Sequence, residues 1–278
     1  MLTLSRGLDP RALDAIAVLE REVVAADGGR LKLEWGVLQT RANDVEQDLL
    51  WWEGDRLVGY LGLYAFGPPD VEVAGMVAPQ ARRQGIATAL LAAARVLADG
   101  RGSRRVLLVT PSVSVAGRAF AAAHDATFDH AEHFLVLGAT PDGPDRDPDL
   151  VLRVARDEDR PAVRGLLQAA FGWEPPGDFF HHPGDTSHLV ERHGAPVGTV
   201  RLSVHGDVGG VYGFAVDPVA QGKGIGRDVL ERCCRLLRAQ GCSRVTLEVA
   251  TENDSALGLY LSTGFVQEAG EEYWAVDV

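Results

Sequence analysis

The sequence repeats itself at half its length, and this repeat constrains the fold more than any other feature. Three stretches align at a shift of 139 residues: Val58-Gly59 with Val197-Gly198, Val77-Ala78-Pro79 with Val216-Asp217-Pro218, and Gly85 with Gly224. The shift is half of the 278 residues of the chain. A constant offset over a long stretch is the mark of a duplicated unit. We therefore predict two tandem copies of one domain.

A segment of unusual composition separates the two copies. Residues 138–149 read GATPDGPDRDPD, which is rich in proline, glycine and aspartate. Such a segment has little apolar surface to bury and is typical of a linker. The predicted domains are therefore residues 1–137 and 150–278, joined by a linker at 138–149.

Both copies predict the same mixed order of helices and strands. The second half has apolar or alternating strands at Leu150 to Val154, His188 to Arg192, Pro196 to Val204, Val211 to Val216, Arg244 to Val249 and Glu272 to Val276. Its helices begin near Asp159, Gly224 and Ser255, with the Asp159 carboxylate as a cap and Pro161 in the first turn. The first half has helices from Pro10 and Gly85 to Ala98, and strands at Leu49 to Trp52, Leu57 to Phe66, Val71 to Val77 and Arg105 to Thr110. This order predicts two α/β domains, each with a mixed sheet.

Charge and cysteine content exclude several classes of protein. The chain has 27 Lys and Arg against 39 Asp and Glu, a net charge of −12, which disfavours a nucleic-acid partner and suits an amine-bearing one. The three cysteines, Cys233, Cys234 and Cys242, form no disulfide framework and are expected to be buried thiols. No stretch has the apolar length of a membrane span or a basic leader pattern. We expect a cytoplasmic protein without a membrane partner.

A glycine-rich turn follows a predicted strand in the second half. It runs from Val216 to Gly226 and includes Gly222, Gly224 and Gly226 directly before a helix. Glycines let successive backbone amides converge, and the helix N-terminus adds its positive end, so this turn suits a pyrophosphate. A plain tight turn is the other interpretation. The turn matches neither a P-loop nor a dinucleotide-binding fingerprint.

The spacing V-x-P-x-x-Q/R-x-x-G-x-G/A in this turn resembles the acyl-CoA loop of the GNAT (Gcn5-related) N-acetyltransferases, and both halves match it. The resemblance implies the GNAT fold in both domains and acetyl-CoA as cosubstrate, with no metal. It implies CoA contacts at Gln221, Gly222, Lys223, Gly224, Ile225 and Gly226, and at Val77, Arg82, Arg83, Gln84, Gly85 and Ala87 of the first half. In the same way, the backbone of Phe214, Ala215 and Val216 is implied to bind pantetheine.

A second signature follows only in the second half. The segment from Glu248-Val249 through Asn253 and Tyr260 to Gly264-Phe265 resembles the second GNAT motif. By resemblance, Tyr260 is the acid that protonates the thiolate, Asn253 binds pantetheine, and Glu248 is the candidate base, directly or through water. The plainer interpretations are a packed aromatic for Tyr260, a helix cap for Asn253 and an ion-paired strand residue for Glu248.

The first half lacks these groups at the corresponding positions. At the shift of 139, Glu248 falls on Val109, Asn253 on Ser114 and Tyr260 on Ala121. Phe120 is the alternative counterpart of Tyr260 if the alignment of the helix shifts by one residue. None of these side chains is an acid or a base. We therefore predict a non-catalytic N-terminal domain, which either holds CoA as a structural or regulatory ligand or keeps the glycines as turn residues only.

The resemblance thus predicts acetyl transfer from acetyl-CoA to a primary amine of a small molecule or peptide. The tandem layout is also similar to that of the mycothiol synthase family, although the glutamate proposed as base there corresponds to Gly210. A CoA-binding regulatory module is a further alternative. An aromatic acceptor pocket is one interpretation of the loop with Phe171, Trp173, Phe179, Phe180, His181 and His182, and core packing is the other. A fused tandem fits either a monomer that forms its own pseudo-dimer or a homodimer.

Overall fold

The computed structural model describes residues 1–41, 44–64, 70–172 and 185–278. The predicted strand end at Phe66 and the loop residues Trp173, Phe179, Phe180, His181 and His182 lie outside these ranges. The chain divides into two units, each built around a hydrophobic core of its own. We call residues 1–132 with 269–278 the N-terminal unit and residues 133–268 the C-terminal unit.

Each unit alternates helices and strands in the order that the repeat predicts. The first half contains β1 (Leu2–Ser5), α1 (Pro10–Asp27), α2 (Trp35–Thr40), β2 (Asp48–Glu53), β3 (Arg56–Tyr64), β4 (Asp70–Val77), α3 (Ile86–Asp99), β5 (Arg105–Pro111), α4 (Val115–Ala123) and β6 (Thr127–Leu137). The second half contains β7 (Leu150–Val154), α5 (Arg160–Phe171), β8 (Asp185–Arg192), β9 (Ala195–His205), β10 (Val208–Val216), α6 (Ile225–Ala239), β11 (Arg244–Ala250), α7 (Asp254–Ser262) and β12 (Phe265–Asp277). The predicted mixed α/β fold is confirmed.

The two sheets have matching strand orders. In the N-terminal unit the order is β1-β2-β3-β4-β5, followed by β12, and only β4 and β5 are parallel among these neighbours. In the C-terminal unit it is β7-β8-β9-β10-β11, followed by β6, and here β10 and β11 are parallel. The sixth strand of each sheet therefore comes from the other half of the sequence.

This exchange differs from the predicted boundaries. The domains at 1–137 and 150–278 follow the sequence repeat, whereas residues 269–278 belong to the N-terminal unit and residues 133–137 to the C-terminal unit. Strand β12 pairs with β5 from Glu271 opposite Pro111 to Asp277 opposite Arg105. The predicted strand at Glu272 to Val276 exists, but it completes the sheet of the other copy.

The helix starts follow local chemistry. Asp9 caps α1 by accepting the Ala12 amide at 2.7 Å, with Pro10 in the first turn. The cap expected from Asp159 on α5 is not formed. Its carboxylate instead binds the Arg153 guanidinium at 2.6 and 2.9 Å and accepts the amide of Arg156. These bonds close the short turn before α5 and hold the pKa of Asp159 well below its usual range.

The predicted linker is fixed to α6 by a buried acid. Asp228 is 1% exposed and accepts the backbone amides of Arg146 and Asp147 at 3.3 and 2.8 Å. Burial raises its pKa, but these amides and Arg232, which binds the carboxylate at 3.0 Å, outweigh burial and lower it. The linker therefore makes ordered polar contacts within the C-terminal unit although it buries little apolar surface.

The cysteines are buried in the C-terminal unit, as expected. Cys233 and Cys234 are fully buried on α6 and Cys242 follows it. Burial raises the pKa of Cys234 to about 12, so this thiol stays protonated and unreactive at neutral pH. No helix among the described residues is long and apolar enough to cross a membrane.

Candidate active site

The glycine-rich turn between β10 and α6 has the backbone shape that the sequence predicts. Gly222 and Gly224 take positive φ angles of 73° and 81°, and a Cβ atom at either would meet nothing within 4 Å. Glycine is needed there for backbone conformation and not for space. Helix α6 begins after Gly224, which has no side chain to accept the backbone amides of the first turn. These amides can therefore bind an anion.

The turn between β4 and α3 repeats this conformation in the N-terminal unit. Gly85 has φ 80°, and Arg83 has φ 64° at the position that Gly222 occupies in the other copy. An arginine rarely adopts positive φ, so the turn keeps its shape against the preference of the side chain. Both units therefore present the same cradle of backbone amides.

Three predicted cofactor side chains bond to the backbone at these turns. Arg82 donates to the Val77 carbonyl at 3.1 Å and binds the Asp27 carboxylate at 2.8 and 2.9 Å. Gln221, at the same place in the other copy, donates to the Val216 carbonyl at 3.0 Å. The Lys223 ammonium donates to the Val219 carbonyl within its own turn at 3.0 Å. These contacts hold each turn against its strand, so the backbone of the turn is the part left to bind a phosphate.

The remaining predicted cofactor residues lie on the same structural elements. Ile225 is buried, Gly226 lies in the first turn of α6, Val77 and Ala87 line a groove described below, and Gln84 is exposed in its turn. The predicted contacts of all these residues with CoA stay predictions. Among the described residues, no group of three or more His, Cys, Asp or Glu side chains is placed to hold a metal ion.

The parallel strands separate beside each turn. β10 and β11 pair from Val208 opposite Arg244 to Val211 opposite Leu247, although β10 continues to Val216. Phe214, Ala215 and Val216 therefore face a gap on the β11 side. A bulge between Tyr212 and Ala215 changes the register of β10 against β9, and Gly213 within it has φ 52°. The gap is the feature expected where a pantetheine chain crosses the sheet.

Of the two candidate catalytic residues of the C-terminal unit, Glu248 lies at this gap and Tyr260 lies in the core on the opposite face of the sheet. Leu247 and Val249 belong to the core cluster with α6 and Tyr260. Side chains alternate along a strand, so Glu248 points to the other face, and it is the first residue after the last β10–β11 pair. Tyr260 is 8% exposed and its ring contacts Phe265 edge-on at 6.2 Å. Burial raises the pKa of Tyr260 to about 12, so the hydroxyl keeps its proton.

Helix α7, which carries Tyr260, is fixed to the start of α6. The Arg227 guanidinium donates to the Ser262 carbonyl at 3.0 Å and to its hydroxyl at 2.7 Å. Asn253 caps α7 by accepting the Ala256 amide at 3.1 Å, just as Ser114 caps α4 at 3.0 Å. The cap role of Asn253 is thus present in the structure, and its contact with pantetheine stays a prediction.

A sequence model of the acetyltransferase (GNAT) family matches residues 18–124 and again residues 152–265. The chain belongs to the GNAT family.

Several known proteins resemble most or all of the chain. A mycothiol acetyltransferase from Streptomyces avermitilis is 30% identical, over 93% of this chain and 90% of its own. A mycothiol acetyltransferase from Rhodococcus erythropolis is 31% identical over 77% of this chain and 79% of its own. Among solved structures, a tandem GNAT protein from the clavulanic acid biosynthesis pathway is similar at a TM-score of 0.70 with 19% identity, covering 100% of this chain and 98% of its own. A GCN5-related N-acetyltransferase from Sphaerobacter thermophilus is similar at a TM-score of 0.80 with 17% identity, covering 99% of this chain and 95% of its own. The two solved structures support the fold alone.

The N-terminal GNAT unit also contains an open groove. It has a volume of about 610 Å³ and is lined by the turn from Arg82 to Ala87, by α4 through Phe120, and by Leu31 after α1. Val109 and Thr110, at the end of β5, line it as well. The unit that lacks a counterpart of Tyr260 therefore has an open groove that reaches its glycine turn.

The Tyr212 ring lies over the position of Gly210. A Cβ atom there would lie 2.3 Å from the Tyr212 ring. That ring has the Arg201 guanidinium 5.6 Å from its centre, and Arg201 lies 3.3 Å from the Asp185 carboxylate. Sequence reasoning did not single out Tyr212, Arg201 or Asp185 as site residues, because only the fold brings β8, β9 and β10 together here. A side chain at residue 210 would therefore require the Tyr212 ring to move.

Proposed function

We propose that the protein transfers an acetyl group from acetyl-CoA to a primary amine, with the reaction in the C-terminal unit. The observation that carries this proposal is the gap between β10 and β11 with Glu248 on one face and the protonated Tyr260 on the other. A thioester that passes through this gap would meet the amine on the Glu248 face. The amide cradle at Gly222 and Gly224 would hold the pyrophosphate of CoA.

The proposed step requires two proton transfers. Glu248, directly or through water, accepts a proton from the substrate ammonium, and the amine nitrogen attacks the thioester carbonyl carbon. The new C–N bond forms, the C–S bond breaks, and the nitrogen releases its second proton. Tyr260 donates its hydroxyl proton to the leaving sulfur and is reprotonated from solvent. The products are the acetylated amine, free CoA and one proton.

A mycothiol-type acceptor is the second candidate. It is favoured by relatives named mycothiol acetyltransferase that are about 30% identical along most of the chain. Residue 210 is glycine and carries no carboxylate, so any such reaction would use another base, for which Glu248 is available. The acceptor class is therefore proposed as a small primary amine, with a cysteinyl amine as one member.

An amine panel tests this proposal. The full-length protein is incubated with acetyl-CoA and cysteinyl, aminoglycoside, polyamine and peptide amines, and CoA release and product mass are measured. Because Cys233, Cys234 and Cys242 are buried, a thiol reagent should detect released CoA above a low background. We expect acetylation of at least one amine. Tight acetyl-CoA binding with no acetylated product from any amine would contradict catalysis and favour a regulatory CoA-binding module.

Replacing Gly224 with valine should weaken acetyl-CoA binding by about tenfold or more, because a β-branched residue is strained at φ 81° and the turn must change shape. Calorimetric titration of the full-length protein measures this loss. Gly241→Val is the matched control, since Gly241 has φ 93°, equally open surroundings and a place at the opposite end of α6. Equal weakening of binding by both substitutions would mean that strain alone, and not the cradle, causes the loss.

A further inference from the structure

The bulge in β10 changes which residues correspond between the two units. In the C-terminal unit Gly210 lies opposite Thr246 of β11. In the N-terminal unit the residue opposite Leu107, the counterpart of Thr246 at the shift of 139, is Glu72. Strands β3 and β4 pair without a break in register, whereas β9 and β10 shift by one residue. Glu72 therefore occupies the place of Gly210, although the two are 138 residues apart.

Glu72 lies on the face of its sheet that corresponds to the Glu248 face. Glu72 is paired with Leu107, and Leu107 forms a buried cluster with Val109 and Tyr273 on the same face. Val109 stands where the C-terminal unit has Glu248. Glu72 on β4 and Glu248 on β11 therefore lie on corresponding faces of their units.

A chain of polar groups surrounds Glu72. The Lys32 ammonium lies 3.9 Å from the Glu72 carboxylate, 3.2 Å from that of Glu132, and donates to the Tyr273 hydroxyl at 2.5 Å. Tyr273 is 1% exposed and donates to Glu132 at 2.5 Å, and the His130 ring is stacked on it at 4.0 Å. These contacts fix Lys32 beside Glu72 and make this a built site.

This cluster lies beside the groove of the N-terminal unit. Leu31 lines the groove and Lys32 follows it in the chain. Val109 lines the groove and also contacts Tyr273 within their buried cluster. The groove has a volume of about 610 Å³ and reaches the turn at Gly85. The groove therefore joins that turn to Leu31 and Val109, which adjoin the cluster around Glu72.

The charge of the cluster suits a cationic acceptor. The carboxylates of Glu34, Glu72, Glu132 and Glu271 lie in this cluster with the cations Arg30 and Lys32. Carboxylates gathered in a partly buried site attract a positively charged ligand.

We infer that the N-terminal unit is a second site of acetyl transfer, in which Glu72 accepts the proton of a cationic amine. The inference rests on the proposed use of acetyl-CoA, but not on the chemistry of the C-terminal unit. Glu72 takes one proton from the ammonium, the nitrogen attacks the thioester carbon, and the C–S bond breaks. The second proton of the nitrogen ends on the CoA sulfur, and Glu72 returns its proton to water. With no tyrosine on α4, this site is the slower one.

Full-length variants separate the two sites, with spermidine and the panel amine that the wild type acetylates fastest as probes. In a Tyr260→Phe/Glu248→Gln background, acetylation should persist, and adding Glu72→Gln should lower it by about 100-fold. Glu72→Asp should restore part of the rate, and Glu53→Gln, at an exposed strand end, should leave it unchanged. Calorimetry should give two acetyl-CoA sites in the wild type and one in Gly85→Val.

The outcomes are distinguishable. An active wild type whose Tyr260→Phe/Glu248→Gln variant acetylates neither probe overturns the second site and leaves the proposed function intact. Persistent activity that Glu72→Gln does not lower overturns the role of Glu72, and one acetyl-CoA site in both wild type and Gly85→Val overturns the second donor site. A wild type that acetylates no amine contradicts the proposed function, and with it the second site.

Discussion

Tyr260→Phe should lower kcat for acetyl transfer by about 100-fold, and the residual rate would be that of the slower N-terminal unit. The substitution removes only the hydroxyl. Among the described residues no side chain or backbone group bonds that hydroxyl, and the ring contact with Phe265 is retained. The loss should therefore appear in kcat while KM for acetyl-CoA changes by less than about threefold.

The pH profile gives an independent check on this role. Tyr260 acts as an acid only while protonated, and burial raises its pKa from 10.0 to about 12. A raised pKa extends the protonated range upward, so the wild-type rate should not fall between pH 9 and 11 through ionisation of this residue. A falling limb centred near pH 10 that disappears in Tyr260→Phe would contradict the buried, high-pKa acid.

One control variant and one variant of the candidate base make the result specific. Tyr64→Phe removes a buried hydroxyl that binds the Leu33 carbonyl, so it should lower stability by about 1 kcal/mol without changing kcat. Glu248→Gln should remove the acid limb of the kcat/KM profile, because that limb reports a base that must be ionised. Unchanged turnover in both Tyr260→Phe and Glu248→Gln would overturn the proposed roles of the two residues.

Local features of the fold were predictable because they depend on neighbouring residues. The turn at Gly224 and the helix after it follow from glycines at positive φ next to an apolar helical face. The face to which Glu248 points, opposite that of Leu247 and Val249, follows from the alternation of side chains along a strand. Such features need only the local sequence, so a pattern of residue types is enough to place them.

Pairing between distant strands was not predictable in this way. A single extra residue in β10 shifts its register and makes Glu72 correspond to Gly210, whereas a constant offset of 139 pairs Glu72 with Val211. The prediction of a non-catalytic first half compared only the positions of Glu248, Asn253 and Tyr260. It therefore could not detect a glutamate on the neighbouring strand.

The polar contacts of the linker were not predictable from the sequence either. The pattern of α6 suggests that Asp228 and Glu231 face solvent, but Asp228 accepts two backbone amides from residues 146 and 147, and Glu231 binds the Arg146 guanidinium at 2.8 Å. Composition identified the segment as poor in apolar residues. Composition carries no information on which buried acid accepts the backbone amides of the linker.

Ending the chain after Glu268 should unfold the N-terminal unit, even though the removed residues belong to the second half of the sequence. Residues 271–277 pair with all of β5, and Tyr273, Ala275 and Val276 are buried. Loss of one large buried aromatic side chain costs about 3–5 kcal/mol, and the whole stability of a domain is about 5–15 kcal/mol. Removing the strand also exposes the β5 edge and leaves Lys32 and Glu132 without the Tyr273 hydroxyl.

Hydrogen exchange measured by mass spectrometry tests this loss region by region. The amides of β5 should exchange at the rate of an unfolded chain in the shortened protein, and a fragment of residues 1–137 should behave in the same way. Deletion of residues 1–5 is the control, because β1 is an edge strand with largely exposed side chains and its loss should leave β5 protected. Wild-type protection of β5 in the chain that ends at Glu268 would show that the N-terminal copy folds within the boundaries of the repeat.

If β5 loses protection, then the catalytic properties of the two copies cannot be separated by cutting the linker. Each would have to be studied in the full chain by substitutions such as Tyr260→Phe and Glu72→Gln.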